Sequence, residues 1–287
     1  MPEENVFLNG EIVPLSRAVI PVTDRAVMFG DSVFETVRAY GGKPFRLGRH
    51  LERLAENCRL MRTKAPCGAG EIEAAVSSLL EANGLAGGID AYIRITVTGG
   101  PSGGSRSLDR PGPQGLFILA HEYVPFTEEQ YRRGLSLAVT GIKRNTSSPL
   151  SSNKTGNCMD SLYARQDALD RGQDDAVMLT TGGNLAEGPF SNLFMVNDGE
   201  LLTPNMGCAF LPGITRETVI ELALEGGIPV REIMEGLETL MASDEVFLTS
   251  STMEIMPVSQ VGTRELTFCP GPITQRLREA YSALTQS

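Results

Sequence analysis

The chain has 287 residues, of which 41% are hydrophobic, enough to bury a full core in one large domain or in two closely packed ones. Its formal net charge of -10 argues against broad binding to nucleic acid or anionic membrane, since both need a positive face to displace counterions from phosphates. Five cysteines with no C-x-x-C pair, and two histidines, His50 and His121, indicate neither a disulfide framework nor a zinc site and fit a reducing cytoplasm.

The first residues are acidic and no long apolar run follows them, so neither a signal peptide nor a membrane span is expected. Residues 6–13 read as a hairpin around Asn9-Gly10, because both central turn positions tolerate positive φ. Residues 29–40 lead as a strand into a Gly41-Gly42 turn and a second hairpin, followed by a helix with Leu51, Leu54, Cys58 and Met61 on its apolar side. His50 and Arg53 share one face of that helix, where an ion-pair cluster with Glu52 and Glu56 is the plain alternative to a functional role. A helix over about 71–83 ends at Gly84, and strand alternation from Ala91 to Val97 leaves Tyr92, Arg94 and Thr96 together on one polar face. The glycine- and proline-rich residues 99–115 are too long for a simple connection and read either as a mobile active-site loop or as a segment without function. They hold no phosphate-loop motif.

An apolar strand, 116–123, precedes a hinge, and we expect a small N-terminal domain over 1–123, a linker over 124–128 and a larger domain over 129–287. In the second domain Lys154 stands at a loop-to-helix junction, ahead of a helix whose apolar side is Met159, Leu162, Tyr163, Ala164 and Leu169. Residues 185–196 read as one strand region carrying Glu187. That carboxylate needs a partner if buried, and a titratable ring nitrogen is one candidate; a water-exposed strand end is the other reading. Leu211-Pro212-Gly213-Ile214-Thr215-Arg216 runs into a helix whose first N–H groups suit a phosphate, as would any capped helix start. The strand 246–255 includes the consecutive hydroxyl residues Thr249, Ser250, Ser251 and Thr252, and a helix over about 272–284 closes the chain.

The order of these residues is informative. Phe34-Glu35, His50-x-x-Arg53-Leu54, Lys154-x-x-Asn157, Glu187-Gly188-x-x-Ser191-Asn192-Leu193-Phe194, Leu211 to Arg216, and Glu245-Val246-Phe247 with Glu254-Ile255-x-Pro257-Val258 together resemble the fold type IV pyridoxal-phosphate enzymes over nearly the whole chain. That family includes branched-chain and D-amino acid aminotransferases and aminodeoxychorismate lyase. The resemblance implies an α+β fold of two domains, a small N-terminal α/β domain and a larger pseudo-barrel domain, with the cofactor between them in a homodimer.

Carried over by position, the resemblance makes Lys154 the Schiff-base lysine and Arg53 the holder of the cofactor phosphate. Ile214, Thr215, Ser250 and Ser251 become further cofactor contacts, and Glu187 the carboxylate at the pyridine nitrogen. It implies substrate contacts at Phe34, Tyr92, Arg94, Arg106 and Thr252. Tyr92-x-Arg94 and the run Ser250 to Ile255 are similar to branched-chain aminotransferases. Ser102 to Arg106 loosely resembles the lyase loop, without the tyrosine expected beyond the arginine, and Cys158 replaces the tyrosine that branched-chain enzymes usually place near the cofactor hydroxyl. Amino transfer between an amino acid and a 2-keto acid is the expected activity. Lysis of aminodeoxychorismate is the alternative, and transfer from D-amino acids stands behind both.

Ser151-x-x-Lys154 and Lys154-Thr155-Gly156 also spell motifs of serine acyl-transfer enzymes, but both matches share one lysine and the intervening Ser-Asp-Asn is missing. A binding module without catalysis would need Arg53 and Thr215 but not Lys154.

Overall fold

A computed structural model of the chain describes residues 3–101, 103–108 and 112–286. Ser102 and residues 109–111 of the glycine-rich stretch lie outside the described residues. The chain divides into two compact units, Met1–Pro125 with Asn153–Asn157, and Phe126–Ser152 with Cys158–Ser287.

In the first unit, β1 (Asn5–Leu8) and β2 (Glu11–Pro14) reverse at Asn9 and Gly10, whose φ values of 51° and 105° suit the tight turn. A short helix, α1 (Arg25–Phe29), is capped by the Asp24 side chain and stopped by Gly30 at φ 66°; it takes Phe29 out of the strand expected there. Then come β3 (Ser32–Tyr40), β4 (Lys43–Pro44), the helices α2 (Leu47–Leu60) and α3 (Ala69–Ala82), and the strands β5 (Ala91–Thr98) and β6 (Gly115–Glu122). The six strands pair antiparallel in the order β2-β1-β6-β5-β3-β4.

Alternation turns Val33, Val37, Ile93, Ile95, Val97 and Ile118 to one face, where Leu51 and Leu54 of α2 and Ile72, Val76 and Leu79 of α3 cover them. Each such aliphatic side chain contributes about 1.5–3 kcal/mol on burial. The other face carries Phe34, Tyr92 and Arg94.

The Lys154 segment belongs to this unit. The short β4 pairs only with Ala39 and Tyr40, so the start of β3 has an edge to spare. Thr155 forms an antiparallel bridge with Val33, the Phe34 N–H donates to the Lys154 carbonyl at 3.0 Å, and the Gly156 N–H donates to the Ser32 carbonyl at 2.9 Å. These main-chain bonds group 153–157 with the first unit, whereas the sequence reading placed Lys154 in the second domain at a helix start.

The second unit contains α4 (Glu128–Arg133), β7 (Leu135–Arg144), α5 (Met159–Asp170), β8 (Asp175–Thr180), β9 (Leu185–Glu187), β10 (Asn192–Asn197), β11 (Glu200–Pro204) and α6 (Ile214–Glu225). It continues with β12 (Val230–Ile233), α7 (Leu237–Ala242), β13 (Glu245–Ser250), β14 (Glu254–Val261), β15 (Arg264–Glu265) and α8 (Pro272–Gln286). Its nine-stranded sheet runs β12-β11-β10-β13-β14-β7-β8-β9, with β15 on β14. Pairing of β9 with β10 through Glu187 and Asn192 closes a barrel-like ring. Leu137, Val177, Leu193, Met195, Leu248 and Met256 help fill its core.

Three readings change here. Residues 185–196 are two strands folded back at Gly188–Ser191, where the Gly188 N–H donates to the Ser191 carbonyl at 2.7 Å. Residues 246–255 are likewise two strands, parted by a turn at Ser251–Met253. On α5 four of the five residues expected on the apolar side, Met159, Leu162, Tyr163 and Leu169, are exposed, while the fifth, Ala164, is buried together with Ser161 and Ala168. Ala168 packs with Ala138 and Ala176 of β7 and β8, so small side chains allow a close approach of helix to sheet that larger ones would prevent.

Candidate functional site

Within the first unit, Glu35 is fully withdrawn from water on β3 and meets two residues of α2. Arg53 donates from Nε to Oε1 at 2.8 Å and from Nη2 to Oε2 at 2.7 Å, and the His50 ring nitrogen Nδ1 lies 2.8 Å from Oε2. Burial raises the Glu35 carboxyl, but the charge and hydrogen bonds of Arg53, with those of His50, outweigh it and hold the group down at about 2. An ionised carboxylate only accepts, so Nδ1 carries the hydrogen. Burial pulls His50 below the usual imidazole range, opposed by Glu35 and reinforced by the positive charges of Arg53 and Lys154. The alternative of a surface cluster does not hold for these two residues; Glu52 and Glu56 pair instead with Arg49 and Arg59 on the exposed side of α2.

The same unit assembles a second cluster around one ring. Lys154 Nζ lies 4.7 Å and Arg94 Cζ 3.7 Å from the centroid of Phe34. Tyr92, two residues along β5 from Arg94, stacks on His121 at 4.8 Å. Arg106 stands exposed on the glycine-rich stretch.

Close packing sets the height of Lys154. A Cβ on Gly156 would come within 2.4 Å of Ser32 Oγ and 3.1 Å of the Gly30 carbonyl, while Asn157 Nδ2 donates to that carbonyl at 2.9 Å.

In the second unit the remaining residues gather at one end of the barrel. Glu187 of β9, Asn192 of β10 and Thr249 of β13 form a row across three paired strands. Glu187 is 3% exposed, which removes the water-exposed reading of it. Its Oε1 pairs with Arg144 Nη2 at 2.8 Å, and its Oε2 accepts the Leu211 N–H at 3.1 Å. Arg144, at the end of β7, also donates to Ser161 Oγ at 3.1 Å.

Beyond Leu211 the chain turns into α6, whose N-cap is Gly213, with no side chain on its first N–H groups. Ile214 and Thr215 are buried there. Ser250 Oγ lies 3.3 Å from Thr252 Oγ1 and accepts the Met253 N–H at 3.2 Å, with Ser251 half-buried between them.

Two observations fit an organic anion with a titratable ring. The α6 start offers uncapped donors. The buried oxygens Ser191 Oγ and Thr249 Oγ1, beside the Glu187 row, have no hydrogen-bond partner. Among the described residues no group of His, Cys, Asp and Glu side chains could hold a metal ion, and no helix is long and apolar enough to cross a membrane.

The family model of class IV amino-transferases matches residues 32–261. The chain belongs to the class IV aminotransferases. A putative branched-chain-amino-acid aminotransferase of Methanocaldococcus jannaschii is 34% identical over 279 residues, covering 96% of this chain and 94% of that one. Among solved structures, the Escherichia coli branched-chain amino acid aminotransferase superposes with a TM-score of 0.92 at 31% identity, covering 99% of this chain and 95% of that chain. The Thermobaculum terrenum branched-chain enzyme in its PLP form superposes with a TM-score of 0.87 at 29% identity, covering 99% and 94%.

This class IV aminotransferase therefore uses pyridoxal 5′-phosphate to move an amino group between an amino acid and a 2-keto acid. Arg144 escaped the sequence reading, since nothing local marks it out from Lys143; only the pairing of β7, β8 and β9 brings it to Glu187. Glu35 was legible as part of a motif, but its role as the partner of Arg53 was not.

Proposed function

We propose that this class IV aminotransferase exchanges amino groups between branched-chain L-amino acids and L-glutamate. The arrangement that carries the proposal is the Phe34 ring with both Lys154 and Arg94 against it. The ring is a wall for an aliphatic side chain, and the guanidinium beside it is a partner for the second carboxylate of glutamate. Both substrates use one site, so a pocket for branched-chain substrates needs an apolar surface and a cation together. Similarity to branched-chain amino acid aminotransferases supports the branched-chain part of that choice.

Bound pyridoxal phosphate supplies the electron sink for the charge left on the substrate Cα when its proton departs. Lys154 would anchor the cofactor, and its Nζ would take the Cα proton and return it during transfer. The Glu187 carboxylate keeps a proton on the pyridine nitrogen, with Arg144 holding that carboxylate in place. Ile214 and Thr215 at the start of α6, with Ser250, Ser251 and Arg53, take the phosphate. Glu35 fixes the Arg53 guanidinium for that purpose. Phe34, Tyr92, Arg94, Arg106 and Thr252 are the substrate contacts.

We assign the working form as a cytoplasmic homodimer. The exposed Met159, Leu162, Tyr163 and Leu169 of α5, and Val27, Met28 and Phe29 of α1, are apolar surface suited to a second copy, and the five cysteines are free thiols. Sedimentation at micromolar concentration tests the dimer; a monomer there would refute it.

The substrate proposal is tested by steady-state kinetics with L-leucine, L-isoleucine, L-valine and L-glutamate as donors, on the unaltered enzyme and on Arg94→Met. Activity with all four is expected, with Arg94→Met losing about tenfold or more in kcat/KM for L-glutamate and less for L-leucine, as removal of one charged hydrogen-bond partner predicts. Equal losses for both would remove Arg94 from the carboxylate role.

A further inference from the structure

The main chain of Leu211 is gripped on both sides of its Cα. Its N–H donates to Glu187 Oε2 at 3.1 Å, and its carbonyl accepts from Asn192 Nδ2 at 2.8 Å. Glu187 and Asn192 face one another as the register pair that closes the barrel, so both grips come from one rung of the sheet. Two residues on, a Cβ at Gly213 would lie 2.0 Å from Asn192 Oδ1. The amide thus uses both of its atoms: Nδ2 holds the loop in, and Oδ1 fills the space beside its last residue before Ile214.

Behind the loop, Arg216 is buried and donates from Nη2 to the Pro204 carbonyl at 2.9 Å, which ties the first turn of α6 to β11. The start of α6 is therefore fixed from the barrel side by Asn192 and from its own first turn by Arg216.

We infer that Asn192 is a positioning residue for the phosphate-binding end of the cofactor site, setting the donors of Ile214 and Thr215, the Thr215 hydroxyl among them, at a fixed height relative to the Glu187 carboxylate. This rests on the assignment of Ile214 and Thr215 to the phosphate. A cofactor with a ring nitrogen at one end and a phosphate at the other spans a fixed length, and two binding groups on a mobile loop would not keep that spacing. Glu187 and Asn192 join them through one residue, Leu211. Loss of Asn192 releases its grip on the loop before α6 while Glu187 keeps its pairing with Arg144.

The test compares dissociation constants of pyridoxal 5′-phosphate and of pyridoxal, which lacks the phosphate, on the full chain stripped of cofactor. The ratio of pyridoxal to pyridoxal phosphate constants reports the phosphate end alone, and general loosening does not move it. Asn192→Asp keeps the shape and removes the Nδ2 donor; we expect the ratio to fall about tenfold, the size of one hydrogen bond to a constrained loop, with pyridoxal binding nearly unchanged. Gly213→Ala should lower the ratio as well, and Asn192→Ala with Gly213→Ala should be no worse than Asn192→Ala, because the oxygen that the new Cβ would strike is gone. An unchanged ratio in Asn192→Asp, alongside a lowered one in Thr215→Ala, overturns the role of Asn192. An unchanged ratio in Thr215→Ala as well overturns the phosphate assignment and the inference with it.

Discussion

Arg144 Nη2 and Glu187 Oε1 stand 2.8 Å apart with side chains 18% and 4% exposed, so a buried carboxylate is kept beside an opposite charge in the wall of the barrel. A carboxylate so far from water needs such a partner, because an unpaired buried charge is costly.

Breaking the pair should be costly. Arg144→Met leaves Glu187 buried without its counter-charge, which predicts a loss of about 3–5 kcal/mol in urea denaturation of the cofactor-free protein. Glu187→Gln with Arg144→Met should recover part of it, and equal stability of the single and double variants would show that the pair does not matter to the fold.

Lys154 depends on the small residue two places after it. Gly156→Ala brings a methyl group against Ser32 Oγ, so the main-chain bridge to β3 should loosen. Weaker visible absorbance of the bound cofactor is expected in Gly156→Ala, partly restored by Ser32→Ala in the double variant. Full absorbance in Gly156→Ala would mean that the approach can relax at no cost.

Acid should weaken the first unit in two stages. His50 has a folded pKa below its ordinary value, so its contribution is present above about pH 6.5 and is lost as pH falls below that. Glu35, held at about 2, contributes above the ordinary carboxylate range and loses its contribution as pH falls toward 2. His50→Gln should flatten the dependence of the urea midpoint on pH below about 6.5. An unaltered slope would place the upper transition elsewhere.

Parts of the candidate site were legible because they lie in short local patterns: the helix start after Gly213 and the alternation that sets Tyr92 and Arg94 on one face both follow from chain geometry. What stayed hidden was every pairing made across distant strands. The contact of Arg144 with Glu187 needs the barrel to close, and that of Glu35 with Arg53 needs α2 to lie on β3. Periodicity also misjudged α5, where alanines rather than larger apolar residues meet the sheet, since the helix approaches too closely for leucine or methionine. The grouping of Lys154 with the first unit came from main-chain bonds that carry no side-chain signature.

The most direct measurement is a single half-reaction. Cofactor-loaded enzyme is mixed with L-glutamate, and separately with L-leucine, with no keto acid present, and the visible spectrum and the released keto acid are followed together. Conversion of the bound cofactor to pyridoxamine 5′-phosphate, with one keto acid released per site and no conversion in Lys154→Ala, is the result expected. An unchanged spectrum with every L-amino acid tried, or equal conversion in Lys154→Ala, would contradict the account.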